Sequence, residues 1–187
     1  RLSVASRESP EESAEANTDK ARALAIAPGL VVSYLPVPEN LRGLVVTLFH
    51  FVGDRPELAD MFPAMTGFVS IRLKGASWIA AETGVRQPVP PATLLAPTNR
   101  ATSIGADGPF HAIGAVLSPR GWATFSGLHA GENAGRIFPL DGAWGELAAQ
   151  MQRDYGTGTP ITELAVQLTD LIAQQWVITK KLEGGKA

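Results

Sequence analysis

Cysteine is absent from this chain of 187 residues, which excludes disulfide frameworks, cysteine zinc sites, iron–sulfur clusters and a thiol nucleophile together. A reducing compartment agrees with that, and a cytoplasmic location is expected. A surplus of either charge is missing too, since 16 Lys and Arg stand against 18 Asp and Glu for a formal net charge of -2. Nucleic-acid affinity is built largely from clustered cations, so these residues are not expected to grip DNA themselves. No apolar run approaches the roughly 20 residues of a membrane helix: Leu44–Val52 is short and holds His50, while Pro28-Gly29 interrupts Ala21–Val32. No membrane partner is expected. The first residues lack the basic-then-apolar order of a secretory signal, and Arg1 in place of Met fits a piece of a longer chain.

Catalytic signatures are equally scarce. His50, His111 and His129 are scattered, with no H-x-H or H-E-x-x-H pair to hold one metal. Ser126 precedes Gly127, but Thr124 stands where a nucleophile elbow needs glycine. Gly156-Thr157-Gly158 lacks the Lys-Ser or Lys-Thr of a phosphate loop. No carboxylate pair stands out for acid–base work. No catalytic residue, metal ligand or cofactor is assigned, and the chain is expected not to be an enzyme.

Hydrophobic residues make up 45% of the chain, enough for a sizeable core. The first residues are rich in Ser, Glu and Ala and offer little to bury, so 1–28 is expected to be a disordered tail with a frayed helix near Lys20–Ile26. Short strand-like runs follow at Leu30–Leu35, Leu44–Phe51, Phe68–Leu73, Ser77–Ala81, Thr93–Leu95, Thr102–Ile104 and Phe110–Leu117. Gly53-Asp54, Gly75, Gly84, Pro90-Pro91 and Asp107-Gly108 supply turn signals between them, which suits a β-sandwich or small barrel over 29–118. On its strand, Arg72 alternates to the side opposite Val69, Ile71 and Leu73, toward solvent or a polar lumen.

Beyond Leu117 the signals become helical. Ser118 caps a helix with Pro119 at its first position, and Gly127 ends it. Asp141 is expected to cap a second helix with Trp144, Leu147, Ala148 and Met151 on one face, stopped by Gly156 and Gly158. Thr159-Pro160 opens a third, whose stripe of Ile161, Leu164, Leu168, Leu171 and Ile172 fits either packing on the barrel or pairing with a second copy. The helical part is expected over 119–179 and a flexible end over 180–187. Aromatics on the strands, together with Arg72 and two histidines, suggest a ligand site inside the barrel at His50, Phe68, Arg72, Trp78 and His111.

Leu95-Ala96-Pro97-Thr98-Asn99-Arg100, the run from Gly108-Pro109 to Pro119-Arg120-Gly121, and Phe138-Pro139-Leu140-Asp141 with Trp144-Gly145 resemble the N-terminal sensor domain of AraC-type transcriptional regulators. The similarity spans roughly Leu41–Trp176, and its specific part is Ala92–Leu147. It implies an α+β fold, a cupin-like barrel of short antiparallel strands followed by about three helices. It also implies effector sensing inside the barrel and homodimerisation through Ile161, Leu164, Leu168, Leu171 and Ile172. DNA would be reached only through a helix-turn-helix segment not found between Val177 and Ala187. His50-Phe51 stands where that family often carries Tyr-Trp. The alternative is a small cupin-type isomerase, epimerase or metal-dependent oxygenase using His50 and His111 in the lumen.

Overall fold

The computed structural model describes residues 22–80 and 85–184. Eight strands precede the first α-helix and a short ninth lies between the first two, an α+β arrangement as expected. The strands are β1 (Arg22–Ala27), β2 (Leu30–Leu35), β3 (Val45–Gly53), β4 (Glu57–Phe62), β5 (Phe68–Ala80), β6 (Arg86–Pro88), β7 (Ala92–Leu95), β8 (Thr102–Leu117) and β9 (Ile137–Pro139). All pairings are antiparallel, in the order β1-β2-β3-β8-β5-β7-β9, with β4 also on β8 and β6 also on β5. Among the described residues the strands form one folded antiparallel sheet with β1 and β9 at the ends of its hydrogen-bonded order, in keeping with the barrel or sandwich expected.

The bend has a local cause. Gly75 and Asp107-Gly108, expected to be turns between separate strands, lie within β5 and β8. Pairing continues on both sides of them. Between the pairs Lys74–His111 and Ala76–Asp107, Gly75 alone faces Gly108, Pro109 and Phe110, a bulge that bends the ladder. Gly75 takes a φ of 78°, open to glycine at little cost. On the far edge of β8, β3 pairs with Phe110–Leu117 and β4 with Thr102–Asp107, and Asp54-Arg55-Pro56 crosses between them. A crease therefore runs through 54–56, 107–110 and 73–76. Across it, Leu30, Leu58 and Ala106 form a small core with Phe51 and Phe110 beside them.

Two further expectations change. Arg22–Ala27, placed in the tail or a frayed helix, is strand β1, because Gly29 (φ 73°) turns the chain back and Arg22–Ala25 pair with Val31–Tyr34. Residues 1–21 lie outside the described ones. The last helix runs on past Thr179 to Gly184.

Helix α1 (Pro119–Ser126) is capped as expected: the Gly121 N–H donates to Ser118 Oγ at 2.9 Å, and Gly127 closes the helix at φ 64°. Helix α2 (Ala143–Gly156) begins after Gly142 rather than under an Asp141 cap, since the φ of 60° at Gly142 sets the turn and no side chain caps it. Helix α3 (Ile161–Gly184) completes the cover. Trp122, Trp144, Met151, Leu164 and Leu168 meet Leu48, Val69, Ile71, Ile113 and Ala115 in the main core. Burying side chains of this size contributes roughly 1.5–3 kcal/mol each.

Candidate functional site

Opposed residues in a ladder share a face, so the register sorts the site residues. His50, Ile113, Ile71 and Ala92 form one row, and Leu48, Ala115, Val69 and Leu94 another, on the face under the helices. Phe51, Ala112 and Arg72, with Phe49, Gly114, Ser70 and Thr93, form rows on the opposite, inner face. The five residues expected in one barrel site therefore do not converge. His50 and His111 lie under α2, Phe68 and Arg72 on the inner face, and Trp78 beyond the crease.

His111 lies at the centre of a polar cluster. Its Nε2 is 3.0 Å from Asp54 Oδ1, and its Nδ1 is 2.5 Å from the Tyr155 hydroxyl. The side chain of His111 is 11% exposed and that of Asp54 is 65% exposed, so the chain of contacts runs from solvent to helix. Asp54 is held at the end of β3, its N–H donating to Gly29 O at 2.9 Å. Tyr155 continues the inward stripe of α2 through Trp144, Ala148 and Met151, and a partly buried phenol on such a stripe is served by a polar partner. With the proton on Nε2, His111 donates to Asp54 and accepts from the Tyr155 O–H, which satisfies all three groups. Both ring nitrogens are then engaged within the protein, and the one lone pair, on Nδ1, is taken by the Tyr155 O–H.

His50 sits on the other side of Tyr155, with ring centroids 5.9 Å apart and planes at 72°. Its Nε2 is buried without a hydrogen-bond partner among the described residues. Burial, and then the charge of His111, lower its pKa to about 4. Burial, and then the Asp54 carboxylate, raise that of the Tyr155 hydroxyl. Among the described residues no three His, Asp or Glu side chains come together to hold a metal ion.

On the inner face Arg72 is half-buried. One guanidinium nitrogen, Nη1, donates to Val89 O at 3.2 Å, and no carboxylate among the described residues pairs with it. The main chain of Arg72 reaches the other way, its carbonyl accepting from Gln152 Nε2 of α2 at 2.9 Å. Phe68 meets Phe49 edge-on at 5.9 Å, and Phe49 lies over Gly114, where any Cβ would come within 2.4 Å of its ring. Trp78 stacks under the Arg86 guanidinium at 4.0 Å and covers Gly105, so it serves packing on its own side of the crease.

No family model and no curated protein matches the chain. Among solved structures it is similar to a single-site variant of Bacillus subtilis oxalate decarboxylase, with a TM-score of 0.39 and 14% identity over 78% of this chain and 52% of that one. A second such variant gives 0.38 and 13% over the same shares. Procruciferin, an 11S globulin from Brassica napus, gives 0.35 and 19% over 69% of this chain and 36% of that one. The chain spans about half the length of the decarboxylases it matches. At these scores the likeness bears on neither activity nor ligand.

The apolar stripe of α3 is committed to the chain's own core. Leu164 and Leu168 are fully buried, Ile172 nearly so, and Ile161 and Leu171 pack beside them. Of the five residues expected as a dimer surface, Leu164, Leu168 and Ile172 are thus covered by the chain's own core beneath α1 and α2, while Ile161 and Leu171 stay partly exposed. Val166 and Val177 are the large apolar side chains that α3 exposes among the described residues. No described helix is long and apolar enough to cross a membrane. Asp54, Gln152 and Tyr155 escaped sequence reasoning. Only Tyr155 left a signal, as the next position of the α2 stripe.

Proposed function

We propose that this chain is a non-catalytic regulatory domain of the kind AraC-type transcriptional regulators carry, in which the sheet takes a small effector and the helices pass its presence to a second copy. A cytoplasmic setting and DNA contact through a separate helix-turn-helix segment belong to the same reading. One observation carries it: Arg72 offers its guanidinium to the inner face while its carbonyl is bonded to Gln152 of α2. A ligand drawn to that side chain acts on a β5 residue to which α2 is directly attached. The His111–Tyr155 bond fastens the same helix to the neighbouring strand β8. α2 in turn lies against α3, whose outer side holds Val166 and Val177.

The enzymatic alternative required His50 and His111 to point into one lumen. They instead lie on the helix-covered face, and His111 uses both ring nitrogens within the protein. Sedimentation velocity and metal analysis of protein purified without chelator decide between the readings. Dimers at micromolar concentration with little bound transition metal are the expected result. A monomer carrying about one metal ion per chain overturns the regulatory reading in favour of the enzyme.

A further inference from the structure

We infer that the inner face of the sheet binds a small apolar acid, its carboxylate paired with Arg72; this names the effector class of the sensor proposed above and rests on that reading. A guanidinium keeps its charge at any physiological pH, and withdrawing it from water without a counter-ion is costly. Arg72 is half-buried, yet its side chain makes one hydrogen bond, to a neutral carbonyl, and no ion pair among the described residues. Most of its five donors remain available to a ligand. A planar carboxylate matches the guanidinium fork with two parallel bonds. A phosphate dianion would call for more cations than this one.

The surroundings suit the rest of such a molecule. In register with Arg72 across β8 stands the small Ala112, with Phe51 beyond it on β3, while in the next row the Phe49 ring lies over Gly114. Phe68 closes the other side against Phe49. A single cation beside phenylalanine rings fits a flat or aliphatic acid with few other polar groups. The competing account, in which Arg72 merely pins the Val89 segment, requires no anion.

Benzoate and its neutral counterpart benzyl alcohol separate the two by isothermal titration calorimetry on the unmodified chain. Benzoate is expected to bind at least roughly tenfold more tightly, the effect of one charge-assisted pair. Arg72→Gln should remove that preference and Arg72→Lys retain part of it, with circular dichroism checking that each variant folds. Equal affinities, no heat from benzoate at millimolar concentration, or a preference that survives Arg72→Gln each overturn the inference. The first two need no variant. A chain that dimerises but ignores benzoate loses the acid and keeps the sensor.

Discussion

Tyr155→Phe tests the latch between α2 and the sheet with the loss of one oxygen. The ring stays, so its edge-on contacts with His50 and His111 persist and no large cavity opens. What disappears is the hydrogen bond to His111 Nδ1, whose side chain is 11% exposed and has no ready access to water in its place. A typical hydrogen bond contributes about 1 kcal/mol net, and leaving a buried acceptor unpaired costs about 1–3 kcal/mol, so a loss of about 2 kcal/mol is expected. For a chain of this length that lowers Tm by about 4–8 °C. Urea titrations at neutral pH should show the same loss at an unchanged m-value. The decisive step repeats the substitution on a His111→Ala background, where the partner is gone and Tyr155→Phe should cost close to nothing. An equal loss in both backgrounds, or a single-variant effect below about 0.5 kcal/mol, refutes the latch.

Acid stability should report His50. Its pKa of about 4 lies below the ordinary 6.5, so the unfolded chain takes up the proton first. The associated stability is full above about pH 6.5 and is lost as pH falls toward 4, by on the order of 1–2 kcal/mol after discounting for solvent contact. His50→Leu should flatten that limb of a urea-midpoint profile, and an unchanged slope rejects the assignment. Gly121→Ala would put a Cβ 2.0 Å from the Leu44 carbonyl oxygen, so α1 must shift, at a cost of about 3 kcal/mol measured by thermal melting. Wild-type stability in that variant would show that α1 has room to spare. Leu168→Ala should cost about 2–5 kcal/mol. Val166→Glu should leave folding within about 0.5 kcal/mol but shift any dimer toward monomer in sedimentation, and a dimer that ignores it does not use this side of α3.

Local chemistry was legible in the sequence where local chemistry decides. Ser118-Pro119 and Gly127 bound α1 because caps act within one turn. Leu30–Leu35 was read at its true bounds, and the side of Arg72 followed from a period of two. Legibility failed where a distant strand decides. Gly75 and Asp107-Gly108 carry ordinary turn residues, but each has the other strand across from it, and continued pairing makes one bulge of two expected turns. β4 was missed because Glu57, Ala59, Asp60 and Met61 are exposed and leave no apolar alternation. The histidines looked isolated since Asp54 and Tyr155 are 57 and 44 positions from His111. The α3 stripe is read equally well as core or interface, for periodicity reports an apolar side without saying what covers it.

The crease also settles how the sheet can come apart. β5 and β8 each extend through it, so the leaf holding β4 and β6 and the leaf holding β3 and β7 are built on the same two backbones. Neither leaf can be peeled away while those strands stay paired. Amide protons along β5 and β8 should therefore exchange late and as a group on both sides of Gly75, as one cooperative unit. A chain assembled in this way has no smaller half to fall back on: it keeps the whole sheet or loses it.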